Sequence, residues 1–448
     1  MIAALIVIFV LGYFFIASEH LIEINKASTA VIMCGLLWAI YAVCSGDHNV
    51  STEMVEALGD TCEIVVFLIG AMTIVELIDR YGGFRIIIDN IKATDKRKLM
   101  WMLSFLAFFL SAILDNMTTT IIMVTMLVKL ISDQKERWII ACVIVLSANA
   151  GGAWSPIGDI TTIMLWMKNY VSSVNLIINL LIPSIVSVIV PVTMATFMLD
   201  RKPILRLSHN STVEAHEGYD LYRHHKKLSI LILACGVLGL LFVPVFKALT
   251  HLAPYVGILL SLGILWVVTE IVARKYNLDG KMDARISEII RHIDMPTILF
   301  FLGILMAVSA LSQAGILGSL AEWLNVTFNN VYIINGIIGI LSSIVDNVPL
   351  VAACMEMYPV VDPGMLQDFQ DPVYMGYFVE DGLFWHLLTF CAGVGGSMLI
   401  IGSAAGVVAM GIEKIPFMWY VKRISLLALS GYLAGIAMIW LETFFIGL

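Results

Sequence analysis

The acidic residues that could do chemistry in this sequence are those in apolar surroundings. Asp115, Asp159, Asp346 and Glu76 all fall inside long hydrophobic runs. A charged side chain at the centre of a spanning helix costs about 2.5–3.5 kcal/mol on insertion scales, so it stays only where it faces a partner or a polar cavity. Asp115, Asp159 and Asp346 have no Lys or Arg at helical spacing to neutralise them, whereas Glu76 has Arg80 four residues on. Glu76 is therefore read either as an interfacial residue paired with Arg80 or as part of a proton path. The neighbours of the aspartates are Asn116, Thr118, Asn149, Ser155 and Asn347, with Ser397 and Ser403 further along. These are hard oxygen donors, which suit hard cations such as Na⁺ or Li⁺; the lack of nitrogen and thiolate ligands argues against zinc or copper. A carboxylate buried in oil holds either a proton or a metal ion, and that competition is a physical basis for cation/proton exchange.

Interrupted helices are needed to carry such groups. Asp115-Asn116-Met117-Thr118-Thr119-Thr120 can cap a restarting half-helix. Pro349, just past Asp346-Asn347, suits the first turn of another. In Asn149-Ala150-Gly151-Gly152-Ala153-Trp154-Ser155-Pro156-Ile157-Gly158-Asp159 the glycines can end one helix, and Ser155-Pro156 can start the next. About five residues of open backbone remain between them, tolerated at membrane depth only against protein or a watery cavity. The second half has Ser403 where the first has Asp159 and is less acidic, so the main ion site is expected on the first half.

The composition sets these elements in a bilayer. Of 448 residues, 60% are hydrophobic and 13% charged, against about 25% charged in soluble domains. That excludes soluble enzymes, nucleic-acid binders and disordered scaffolds. The apolar runs are 1–17, 29–44, 62–78, 101–131, 138–165, 175–199, 228–247, 255–273, 297–317, 331–360, 382–410 and 424–446. Lys and Arg crowd 79–98, 200–227 and 274–296, which are placed in the cytoplasm; 45–61 and 361–381 carry acids without Lys or Arg and are placed outside. Runs 101–131 and 331–360 have like flanks at both ends and a polar break in the middle. With halves of about 11 to 15 residues, too short to cross about 30 Å of hydrocarbon, they are read as re-entrant hairpins. Trp38, Trp101, Trp138 and Trp166 are assigned to the interfacial aromatic belt.

The two hairpins match in sequence. Leu110-Ser111-Ala112-Ile113-Leu114-Asp115-Asn116 and Leu341-Ser342-Ser343-Ile344-Val345-Asp346-Asn347 share five of seven residues. Gly151-Gly152 with Gly158 recurs as Gly395-Gly396 with Gly402. The expected fold is an all-α polytopic membrane protein of ten spans and two hairpins, built as two inverted repeats of five spans plus one hairpin each. The first repeat is 1–199 (hairpin 101–131, broken helix 138–165), then a cytoplasmic linker 200–227, then the second repeat 228–448 (hairpin 331–360, broken helix 382–410). Both termini are expected outside.

Together, the Asp115–Thr120 and Asn149–Asp159 motifs resemble those of NhaD-type sodium/proton antiporters. These belong to the ion transporter superfamily, which also holds arsenite-efflux and dicarboxylate carriers. The resemblance implies Na⁺ or Li⁺ extrusion driven by inward proton flow, a bacterial inner membrane, a rocking or elevator motion and a homodimer. It implies ion binding or proton transfer at Asp115, Asn116, Thr118, Asn149, Asp159 and Glu76, with Na⁺ at Asp115, Asn116 and Asp159. Ser155 is grouped with them. Ser342, Asp346, Asn347, Ser397 and Ser403 would give support from the second repeat. No cofactor and no nucleic-acid partner is expected beyond the bilayer and the transported cations. The rival reading is a carrier of the same fold for a dicarboxylate or arsenite, against which stands an Asp immediately before each Asn. A membrane-embedded protease is disfavoured, because the sequence lacks His-Glu-x-x-His and Gly-x-Gly-Asp motifs.

Overall fold

The computed structural model describes residues 1–22, 24–46, 49–86, 95–199, 225–275 and 289–446. Among them the chain is helical, and strand pairing is limited to isolated bridges such as Val361–Val379. The longer helices of the first part are α1 (Ile2–Ala17), α2 (Lys26–Ser45), α3 (Val50–Arg80), α4 (Lys96–Leu114), α5 (Asn116–Leu130), α6 (Gln134–Ala153), α7 (Ile160–Met167) and α8 (Ser173–Thr196). The later ones are α9 (Lys226–Thr250), α10 (Pro254–Lys275), α11 (Met295–Gln313), α12 (Ile316–Phe328), α13 (Val331–Ser342) and α14 (Asn347–Met357), followed by α15 (Leu383–Gly395), α16 (Ala404–Glu413), α17 (Phe417–Arg423) and α18 (Ser425–Ile446). Among the described residues eight helices are long and apolar enough to cross a membrane, or nine if α16 and α17, bent by 115°, count as one span.

The middle of the molecule is made by the helices that sequence marks as broken. Every residue of α6 from Ile139 to Ala153 is buried, and so is all of α15. A helix apolar all round must be surrounded on every side. The outer helices show the opposite pattern. Val43, Ile178, Phe197, Leu238, Leu249 and Val267 face outward from α2, α8, α9 and α10 or their ends. In water such a surface would aggregate; against lipid tails it is matched.

Four breaks meet in this centre. Asp115 alone separates α4 from α5, and residues 154–159 separate α6 from α7. Residues 343–346 separate α13 from α14, and a short 3₁₀ turn, Gly396–Met398, starts the gap between α15 and α16. The two halves make the same contacts at matching positions. Ser111 Oγ donates to the Ala148 carbonyl at 2.6 Å, and Ser342 Oγ donates to the Ala392 carbonyl at 2.7 Å. A Cβ on Gly151 would run into the Phe108 carbonyl oxygen, and one on Gly395 into that of Gly339. Both glycines thus let two backbones touch where one helix crosses another.

Several expectations change. Segment 45–61 is not all loop: α3 starts at Val50 and is 31 residues long, roughly 46 Å at helical rise. Its acidic start, Glu53, Glu56, Asp60 and Glu63, reads as loop by hydropathy, yet Glu, Met, Ala and Leu are strong helix formers. The first arm of the 101–131 run is also longer than expected. α4 has 19 residues and passes as a span by itself, while α5, α13 and α14 have 15, 12 and 11. Run 297–317 is divided by Gly315, which takes φ +74 between α11 and α12. Trp38 and Trp166 are buried rather than interfacial; Trp38 Nε1 donates to the Met306 carbonyl at 2.8 Å. The linker 200–227 lies outside the described residues, apart from 225–227 where α9 begins.

Candidate functional site

Asp159 is the N-cap of α7; its Oδ1 accepts from the Thr161 backbone N–H at 3.4 Å. This aims the positive end of a half-helix at the carboxylate. Its Oδ2 is one point where the two halves meet. It accepts from Asn116 Nδ2 at 3.2 Å and from Asn347 Nδ2 at 3.2 Å. Asn116 opens α5 and Asn347 opens α14, so the equivalent amide of each half reaches one oxygen. Asn116 Nδ2 also donates to Asn149 Oδ1 at 3.0 Å. Asn149 Nδ2 then donates to Ser397 Oγ at 2.8 Å and Ser403 Oγ at 2.9 Å. Six of the residues singled out from sequence therefore form one hydrogen-bonded chain, and all six are buried.

The remaining candidates lie around this chain. Asp115 adjoins Asn116, but its carboxylate is engaged locally, accepting from Thr118 N at 2.7 Å and Thr118 Oγ1 at 2.8 Å. Its backbone has φ +112 and ψ 164, a region almost reserved for glycine and costing about 1–3 kcal/mol. The two Thr118 bonds hold the residue there. Ser155 Oγ donates to the Ala112 carbonyl at 2.5 Å, so it fastens the α6–α7 gap to the end of α4. Asp346 is not an unpaired acid: Lys26 Nζ reaches its Oδ2 at 2.8 Å. That pairing spans 320 residues and is invisible to any argument from helical spacing.

Glu76 stands apart from the network. Its Oε1 accepts from Arg80 Nε at 3.2 Å, and its side chain is 34% exposed. Such i,i+4 pairs contribute about 0.3–0.5 kcal/mol. We expect Glu76→Gln to keep at least half of the transport rate, measured beside the parent chain at equal expression. A loss like that of a central residue would place Glu76 in the proton path.

No Lys, Arg or His among the described residues forms an ion pair with Asp115 or Asp159. The centre is thus a buried carboxylate set among neutral oxygens and amides. Buried hydroxyls of Thr119 and Thr161, in the first turns of α5 and α7, have no hydrogen-bond partner. Sequence reasoning missed Thr161, although its place two residues after a capping Asp was readable. The charges that tie the helices together lie elsewhere: Arg137 Nε binds the Glu413 carboxylate at 2.9 and 3.1 Å, joining the start of α6 to the end of α16. Among the described residues, no three His, Cys, Asp or Glu side chains gather as a metal site. A monovalent hard cation needs only one such charge, with neutral oxygens completing its shell.

Membrane-length apolar helices around a buried polar centre define a multi-pass membrane protein. A family model described as citrate transporter (CitMHS) matches residues 2–376. Sodium/proton antiporter 1 of Arabidopsis thaliana is 40% identical over 97% of this chain and 71% of its own length. Sodium/proton antiporter 2 of the same plant is 40% identical over 96% of this chain and 97% of its own. The Na(+)/H(+) antiporter NhaD of Vibrio cholerae is 30% identical over 97% of this chain and 90% of its own. The chain belongs to the family that this model describes, and its relatives place it among the NhaD-type sodium/proton antiporters.

Proposed function

We propose that this protein exchanges cytoplasmic Na⁺ or Li⁺ for external protons, and that Asp159 carries them in turn. The observation that supports this most is the Asp159 carboxylate: buried, without a basic partner among the described residues, and held by one amide from each half. An Asn side chain is a donor at one end and an acceptor at the other. With no metal bound, Asn116 and Asn347 give N–H to the carboxylate. Half a turn of each amide presents oxygen instead, to a cation beside Asp159 or to the O–H of its protonated form. Asn149, Ser397 and Ser403 supply further oxygens, and Asp115 adds a second negative charge nearby.

The matched contacts of the two halves support an internal repeat; we read it as inverted, with re-entrant hairpins at α4–α5 and α13–α14, α4 owing its extra length to its charged Lys96–Lys98 start. In that arrangement the Lys- and Arg-rich segments are cytoplasmic and both termini external, in a bacterial plasma membrane. A homodimer moving by a rocking or elevator step completes the picture drawn from the family. The chain then acts as a transporter and not as an enzyme, and needs no cofactor. The test is a vesicle assay: in everted vesicles holding an internal acid load, Na⁺ or Li⁺ should dissipate the pH gradient, and K⁺ serves as comparison. A gradient indifferent to all three cations would end this reading.

The description of the matching family model favours a second reading, a carboxylate carrier. An anion beside Asp115 and Asp159 meets two carboxylates with no basic side chain among the described residues paired to offset them. Uptake of labelled citrate or succinate that depends on this protein would decide for the rival.

A further inference from the structure

Asp346 and Asp115 hold matching places. Each ends the same Leu-Ser-x-Ile-x-Asp segment, and each caps the half-helix that follows it. Their partners differ. Asp115 pairs with no basic side chain among the described residues, whereas Asp346 Oδ2 takes the Lys26 ammonium at 2.8 Å. Lys26 lies in the first turn of α2, the end of a helix where its dipole disfavours a cation. It is held there from outside its own helix. The ammonium stands 4.3 Å from the centre of the Phe300 ring, and the Lys26 backbone N–H donates to Glu19 Oε1 at 3.1 Å.

A cavity of about 500 Å³, counted with its open mouth, lies beside the pair; Tyr13, Glu19, Lys26, Asp346 and Ser403 are on its wall. Ser403 Oγ also accepts from Asn149 in the central network. The cavity therefore runs from the pair to the residue that occupies, in the second half, the place of Asp159. The first turn of α2 brings a charge to the second break that the first break lacks among the described residues.

We propose that the Lys26 ammonium is a tethered cation standing in the second half's counterpart of the metal site, so that each chain binds one metal ion, and that removing the ammonium opens a second site for Na⁺. An ammonium and Na⁺ carry the same charge and engage the same kind of oxygen, the one by donating hydrogen bonds and the other by accepting lone pairs. With Lys26 present, its ammonium offsets Asp346 and itself fills the place a metal ion would take, and of the carboxylates on the wall only Glu19 is left. Without it, a carboxylate is left unpaired in low-dielectric surroundings, the arrangement that a cation from the cavity relieves. Asp346, Glu19 and Ser403 supply oxygens for it. This inference rests on the Na⁺-binding reading of the centre proposed above.

The experiment is equilibrium binding of radioactive Na⁺ to the purified full-length protein, at alkaline pH where protons compete least. One Na⁺ per chain is expected for the unaltered protein and for Lys26→Arg, which keeps the charge. Two are expected for Lys26→Ala, and one again for Lys26→Ala combined with Asp346→Asn. Lys26→Gln, which keeps most of the stem and loses the charge, is read by the same count as Lys26→Ala and replaces it should that variant not fold. A count of one or none in the charge-removed variants overturns the inference, as does a count of two in the unaltered protein. Those outcomes leave the central site standing where one ion is still bound. No saturable Na⁺ binding by the unaltered protein overturns the central reading and this inference together.

Discussion

Replacing Asp159 by Asn should abolish Na⁺-dependent proton movement. Asn is the same size and keeps an oxygen to accept from Asn116 and Asn347, so the network and the fold survive. What disappears is the one charge to which both amides point. A cation at the centre then meets mainly neutral donors, and the carboxylate left nearby, Asp115, is engaged by Thr118 rather than by the two amides. In the acid-loaded vesicle assay we expect a loss of at least about a hundredfold, equivalent to about 2.8 kcal/mol of binding. Retention of a tenth or more of the parent rate by a normally expressed Asp159→Asn would show that Asp159 does not carry the exchanged ions.

Asn116→Ala and Asn347→Ala should weaken Na⁺ by similar factors, although one belongs to the first half and the other to the second. Each change strips one donor from Asp159 Oδ2 and one oxygen from the shell a cation would use. Hydrogen bonds to charged groups contribute about 1.5–3 kcal/mol, which is roughly 10- to 150-fold in affinity. Because both amides act on one oxygen, the double variant should fall short of the product of the two single effects. The quantity to follow is the Na⁺ concentration for half-maximal exchange. An Asn347→Ala variant with the parent's value would confine the site to the first half.

The breaks were readable in the chain because an interrupted helix in oil has few chemical solutions. A capping Asp, a following Asn or Pro, and glycines where backbones touch are hard to replace, and they recur in both halves. The partners across the molecule were not readable. Nothing in the local sequence says that Asn347 reaches back to Asp159, or that Lys26 neutralises Asp346. Both contacts depend on how the halves pack, a matter of tertiary geometry that hydropathy and spacing do not carry. Hydropathy likewise hid the start of α3, because exposed acidic residues of strong helix propensity resemble a loop when only polarity is scored. The second half contributes Asn347, Ser397 and Ser403 to the same network as Asp159.

If one carboxylate holds either a metal ion or a proton, binding the first must expel the second. Proton release reads this exchange without any membrane: Na⁺ is added to the purified protein in weakly buffered, mildly acidic solution while the pH is recorded. Na⁺ should drive protons into the medium, the Na⁺ needed should rise as the starting pH is lowered, and Asp159→Asn should release none. Na⁺ that binds without releasing protons, or undiminished release from Asp159→Asn, would mean that the two ions do not share this carboxylate.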